Sequence, residues 1–313
     1  MSSSAAGRTV LLIVHTGRAD AAEVARAVSK RLMDSAITVR LLAEESADLG
    51  IAGAVEVSSG ADPANGCEIA VVIGGDGTIL RGAELTRLAG TPLLGINLGR
   101  VGFLAEAEED DLETTVEAII ASSYVVEERM TVDVAVTSDG RRVGDGWALN
   151  EASIEKAARQ RMLEVVVEID DRPLSRWGCD GVVFATPTGS TAYAFSAGGP
   201  VVWPEVEALL MVPISAHALF ARPMVASPNS TLAAEVLADS ETGGVLWCDG
   251  RRTMDLPPGA RVEVRRGTRP VRLARLHQAP FTNRLVAKFE LPVTGWRGSA
   301  QRRRESGRNS ADA

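Results

Sequence analysis

Residues 69–78 read IAVVIGGDGT. An unbroken apolar run of this length is what a strand buried on both faces requires, and such strands occur in parallel sheets covered by helices. The run ends at Gly74-Gly75-Asp76-Gly77-Thr78, and helical spacing follows over 78–88. Glycines at the end of a strand let backbone N–H groups converge on an anion with no Cβ in the way. The helix behind them aims its free N–H groups and dipole at the same point. The same alternation surrounds it: an apolar run at 9–14, a helical pattern at 21–32 with Val24, Ala25, Val28 and Leu32 near 3.6 spacing, then strand-length runs at 38–42 and 92–96. This predicts an α/β domain with a parallel sheet.

The pattern changes near residue 124. MTVDVAV (130–136) alternates and is followed by Asp139-Gly140; LEVVVEID (163–170), VLWCDGRR (245–252) and RVEVRR (261–266) continue the style. Short alternating strands with turn signals predict a β-rich, sandwich-like second domain. The expected division is 1–128 for the α/β domain and 129–279 for the β-rich one. A last segment, 280–296, is expected to begin a short helix at Pro280 and pack back on the first domain. The small polar, RRR-containing stretch 298–313 is expected to be a disordered tail.

Two domains suit a chain of 313 residues. A formal net charge of −8 argues against a general nucleic-acid binder. No apolar run approaches the ~18 residues that span a bilayer, so no membrane association is expected. Cys67, Cys179 and Cys248 are odd in number and widely spaced, which fits neither a disulfide framework nor a zinc site. A cytoplasmic location is the expectation, with no metal-ligating set in the chain.

Four stretches carry chemistry. The loop at 74–78 lacks the lysine of GxxxxGK[ST], and Leu80 stands where GxGxxG needs glycine. An acid beside phosphates is costly unless it has work to do. Asp76 is a helix cap, a Mg²⁺ ligand or the acceptor of a proton from an attacking hydroxyl, and the loop alone leaves these open. LLGINLGRVGFLAE (93–106) would open at the same carboxyl edge of the sheet. In GWALNEASI (146–154), Asn150 and Glu151 can each grip a sugar hydroxyl. In WGCDGVVFATPTGSTAYAFSAGGP (177–200), glycines alternate with Asp180, Thr186, Thr188, Ser190, Thr191, Tyr193 and Ser196, a composition suited to close approach to a polar ligand.

Taken together, GGDGT (74–78), NLGRVGFL (97–104), Asn150-Glu151 and TPTGSTAYAFSAGGPVVWP (186–204), followed by VPISAHALFARP (212–223), resemble the NAD kinases from about residue 9 to 296. The resemblance implies an α/β domain and a β-rich domain with the active site between them. It implies phosphoryl transfer from ATP, or from inorganic polyphosphate, to the 2′-hydroxyl of the adenosine ribose of NAD, with a divalent metal, Mg²⁺, bound with the donor phosphates. By resemblance Asp76 is the catalytic carboxylate, and Gly74, Gly75, Gly77 and Thr78 serve the donor. Asp76, Gly77, Phe103, Leu104, Asn150, Glu151, Asp180, Thr191, Ala192, Tyr193, Ser196 and Ser215 serve NAD. Part of that site comes from a neighbouring subunit of a homodimer or homotetramer. Position 216 is Ala where many members have Pro. Two rivals are a lipid or sugar kinase with the same loop, and a non-catalytic NAD-binding sensor. The first would need an apolar acceptor groove or a basic cluster, which 186–204 does not supply; the second would be expected to have lost Asp76.

Overall fold

The computed structural model describes residues 7–60, 62–99, 102–108, 112–240, 242–276 and 280–293. The tail expected at 298–313, residues 294–296 of the last segment, and Arg100 and Val101 of the second loop lie outside the described residues.

The N-terminal part alternates strand and helix: β1 (Thr9–Val14), α1 (Ala19–Asp34), β2 (Thr38–Leu42), α2 (Ala43–Leu49), β3 (Val55–Val57), β4 (Ile69–Ile73), α3 (Asp76–Thr86) and β5 (Leu93–Asn97). These strands lie parallel in the order β3-β2-β1-β4-β5. Alternate side chains feed two cores. Val10, Leu12 and Val14 join Val24, Val28 and Leu32 of α1 on one face. Leu11 and Ile13 join Ile79, Leu80 and Ala83 of α3 on the other. Burial on both faces is why the central strands β1, β4 and β5 read as continuous apolar runs.

The second domain folds from two six-stranded antiparallel sheets that share one core around Trp177 and Phe184. One sheet holds Glu151–Lys156 between Gly181–Ala185 and Gly244–Cys248; the other runs from Arg172–Cys179 to Arg141–Ala148. Its outer layer includes Tyr193–Ser196, whose Ala194 packs on Val183, Ala185, Leu210 and Val212.

The chain returns to the first sheet earlier than its pattern implies. Val271–Arg275 lies parallel beside β5 at Leu93 and antiparallel to Val125–Arg129. The expected β-rich domain, 129–279, includes this strand. The returning part of the first domain thus starts at 271 rather than 280. The closing helix runs Phe281–Phe289, with Pro280 at its N-cap as expected.

Candidate active site

Between β1 and β4 the order of connections reverses, and open α/β sheets bind ligands outside the carboxyl ends of strands at such a point. Val14 pairs with Ile73 and Ile73 with Ile96, so β1, β4 and β5 end level. The segments that follow β1 and β4, with Arg251 of the second domain, line a cavity of about 400 Å³ through His15, Thr16, Gly17, Gly77, Thr78, Arg81 and Arg251. Gly74 has φ +152°, and a Cβ there would lie 2.5 Å from Thr78 Oγ1; only glycine lets the strand turn so tightly into α3. Two guanidiniums face the same space. Arg81 is held by Glu45, which also accepts the Val14 N–H at 2.9 Å. Burial pushes the Glu45 carboxyl up, against the pull of Val14 N–H and Arg81. Arg251 donates to Glu84 of α3 at 3.0 Å.

Helix α3 starts two residues earlier than the spacing predicts, with Gly75 at the N-cap and Asp76 in the first turn. The Asp76 carboxylate reaches across to the second loop and accepts the N–H groups of Phe103 and Leu104, both at 3.3 Å. Gly102 makes this possible, since a Cβ there would sit 2.5 Å from Asp76 Oδ1. The Phe103 ring meets Phe281 and Phe289 of the closing helix, each at 5.9 Å between centroids.

Asn150 and Glu151 are buried at the start of a central strand of the second domain. Asp249 accepts the backbone N–H groups of Leu149 at 3.0 Å and Asn150 at 2.7 Å, and is paired with Arg252 at 2.8 Å. The Thr186 N–H donates to the Asn150 carbonyl, and Thr186 Oγ1 to that of Leu149. Glu151 accepts the Tyr193 N–H at 3.3 Å. Burial, with the Asp249 charge adding to it, pushes the Glu151 carboxyl up to about 8; burial raises Asp249 as well. Leu149 is buried in the cluster that holds Leu80 and Leu104, so Asn150 follows directly on the core beneath Asp76's helix and loop. Arg251 and Arg252 both bond Glu84, and the guanidiniums of Arg87 and Arg252 each lie 4.4 Å from the centre of the Trp147 ring.

The geometry therefore gathers Gly74, Gly75, Asp76, Gly77, Thr78, Phe103 and Leu104 at one sheet edge, with Asn150, Glu151, Ala192 and Tyr193 adjoining. Thr191 is half-buried and Ser196 exposed on the same 188–196 segment. Asp180 and Ser215 stand apart. Glu151 pairs with Ala185 and Glu155 with Gly181, so Asp180 lies at the other end of that strand pair, roughly 14 Å along. Lys156 at 2.5 Å and Ser215 hold the Asp180 carboxyl below its ordinary range.

The profile of the ATP-NAD kinase N-terminal domain matches residues 10–124, and that of the ATP-NAD kinase C-terminal domain matches residues 149–276. The chain belongs to the NAD kinase family. It is 64% identical over 294 residues to NAD kinase 2 of Streptomyces coelicolor, covering 93% of this chain and 97% of the other. Against the NAD kinase of Thermobifida fusca the identity is 63% over 305 residues, covering 95% and 93%. Among solved structures, yeast NADH kinase complexed with NADH superposes with a TM-score of 0.82 at 21% identity, covering 94% of each chain. An NAD kinase from Archaeoglobus fulgidus in complex with ATP gives 0.70 at 24% identity, covering 91% of this chain and all of the other. The chain is thus a kinase of the family that phosphorylates NAD to NADP, in the two-domain fold expected. The lipid or sugar kinase and sensor readings find no support.

Sequence reasoning passed over four contributors to the site. His15-Thr16-Gly17 was legible as the loop after the first apolar run. Arg81, one helical turn after Thr78, was legible from i, i+3 spacing. Asp249 and Arg251 sit in a DGRR turn, with Asp249 at φ +53°, and a turn signal hides a structural carboxylate.

Proposed function

We propose that this kinase moves the terminal phosphoryl group of ATP to the 2′-hydroxyl of the adenosine ribose of NAD, with Asp76 aiming and finally deprotonating that hydroxyl. One observation carries the assignment. Asp76 directly precedes Gly77 of the 400 Å³ cavity, while its carboxylate is fastened to the Phe103–Leu104 backbone, and Leu104 shares a core with Leu149, next to Asn150. An acid so placed borders the donor seat and the acceptor loops together.

In this reading the donor's phosphates rest on the N–H groups that begin α3 and on the His15–Gly17 loop, with Arg81 and Arg251 offsetting their charge. Asn150, Glu151 and Tyr193 hold the acceptor. Phosphoryl transfer needs alignment and charge neutralisation more than covalent help. Asp76 supplies alignment, and takes the proton late, as the new O–P bond forms. A divalent ion, Mg²⁺ by the expectation above, neutralises charge on the transferring group when bound. Among the described residues no cluster of three or more His, Cys, Asp or Glu side chains is set to hold a metal. Inorganic polyphosphate is the second donor to assay, since the cavity's features address phosphate rather than a base.

Asp180 and Ser215 lie at the far end of the strand pair that begins at Glu151, and Asp180 keeps 42% of its side chain exposed. We assign them to the NAD of a neighbouring subunit in a homodimer or homotetramer. Among the described residues no helix is long and apolar enough to cross a membrane, which fits the proposed cytoplasmic location. Asp76→Asn is expected to fold, bind NAD by calorimetry and lose ~10²–10⁴ in kcat. Near-normal NADP formation from that variant would overturn the assignment.

A further inference from the structure

The loop that holds Asp76 is itself held from behind. Its N–H groups at 103 and 104 go to Asp76. Its three successive carbonyls go to two guanidiniums from the end of the chain. Arg284 donates to the Phe103 carbonyl at 3.3 Å and to the Ala105 carbonyl, and Arg275 donates to the Leu104 carbonyl at 3.2 Å. Both pair with Glu106, Arg284 at 2.7 Å and Arg275 at 2.9 Å, and the Leu276 N–H also donates to Glu106 at 3.1 Å. Arg275 is built into the sheet, with a second carboxylate, Glu127, at 2.9 Å. Arg284 belongs to the closing helix, whose Phe281 and Phe289 rest against Phe103. The same rings touch the second domain, Phe281 at Trp203 and Phe289 at Phe195.

We propose that Arg284 is a positioning residue for phosphoryl transfer: it fixes the backbone of residues 103–106, and that backbone fixes the Asp76 carboxylate. The inference rests on Asp76 being the acting carboxylate. Carbonyl contacts cannot be replaced by packing alone, because a guanidinium fork reaches two acceptors and a carboxylate in one plane. With Arg284 gone, the loop keeps Arg275 at its centre but loses its restraint on both sides. Phe103 and Leu104 N–H groups then wander relative to Asp76. A displacement of about 1 Å at a reacting group costs ~10²-fold in rate. Arg284 lines no part of the donor cavity, so donor affinity is untouched.

The test is a double-mutant cycle with steady-state kinetics and thermal unfolding, using the full chain with NAD, ATP and Mg²⁺. Arg284→Ala is expected to lower kcat ~10-fold or more, with KM for ATP within about twofold of wild type. Arg284→Lys, which keeps a charge for Glu106 but lacks the fork, is expected to fall between the two. On an Asp76→Asn background, either Arg284 change is expected to add less than about twofold, because the group it positions is already gone. A merely structural role would cost the same factor on both backgrounds. That outcome, or an unchanged kcat in both Arg284 variants, overturns the proposal. If Arg284→Ala shows no cooperative unfolding transition, Arg284→Lys carries the cycle by the same criteria. Near-normal turnover in Asp76→Asn alone overturns the assignment of Asp76 and the relay together. Loss there with kcat unmoved in both Arg284 variants overturns the relay only.

Discussion

Gly102 offers the narrowest probe of the proposed mechanism. A Cβ added there would stand 2.5 Å from Asp76 Oδ1, 3.1 Å from Cγ and 3.3 Å from Oδ2. Comfortable contact between heavy atoms begins near ~3.5 Å, so the carboxylate must retreat by about 1 Å in Gly102→Ala. Rotating the side chain away costs of order 1 kcal/mol if it leaves its rotamer. Its bonds to Phe103 and Leu104 N–H, both 3.3 Å, are already longer than the usual ~2.9–3.0 Å, so retreat breaks them. The fold should therefore tolerate the substitution while the reaction does not. A shift of about 1 Å corresponds to a ~10²-fold loss in kcat, or ~2.7 kcal/mol of activation free energy. The assay couples NADP formation to an NADP-specific dehydrogenase and varies NAD and ATP separately, beside a thermal melt. The expected result is kcat down ~10²-fold, KM for ATP unchanged and Tm lowered by only ~2–4 °C. A folded Gly102→Ala enzyme with kcat within about twofold of wild type would refute the reasoning that Asp76's exact placement matters.

Two further outcomes are expected. Burial, with the Asp249 charge beside it, pushes the Glu151 carboxyl up to about 8 in the folded protein, from an ordinary value of 4.5. Across that window the native state keeps a proton that the unfolded chain has lost, so stability falls as pH rises, by at most ~1.4 kcal/mol per pH unit from this group. Glu151→Gln should flatten the decline seen by chemical denaturation between about pH 5 and 8; an unaltered slope would remove Glu151 as its source. Arg251→Ala should raise KM for ATP ~10-fold or more and leave KM for NAD unchanged, since a charged hydrogen bond is worth ~1.5–3 kcal/mol; an unchanged KM for ATP would place the donor phosphates elsewhere.

The parts of the fold that could be read from sequence are those with one dominant force. Ile69–Ile73 and nearly all of Thr9–Val14 are apolar because both faces are covered, and the bounds of these two strands and of Thr38–Leu42 match the pattern. Val55–Val57 escaped notice: it is short, at the sheet edge and mostly exposed, so little apolar signal marks it. Val271–Arg275 alternates like a strand of the second domain, and alternation cannot say which sheet a strand joins. At the site, the glycine loop stood out by its residue types, whereas Asn150-Glu151 became readable only beside the other stretches of the family resemblance. What Asp76 touches was not legible. Its partners are backbone N–H groups 27 and 28 residues away, and main-chain donors leave no trace in residue identity. Asp249 was hidden for the same reason, since it also serves two main-chain amides.

The register of the returning strand has an architectural meaning. Arg129 and Val271 are direct partners in antiparallel strands, so the chain leaves the first sheet and re-enters it at neighbouring points. The whole β-rich domain is an insertion into what could otherwise be an ordinary hairpin, closed by a turn of a few residues. Such an arrangement lets the inserted module be gained, lost or exchanged without re-threading its host. A host sheet severed after residue 128 would lack the strand between its edge and β5, so the α/β half is a separable unit only when residues 271–276 travel with it.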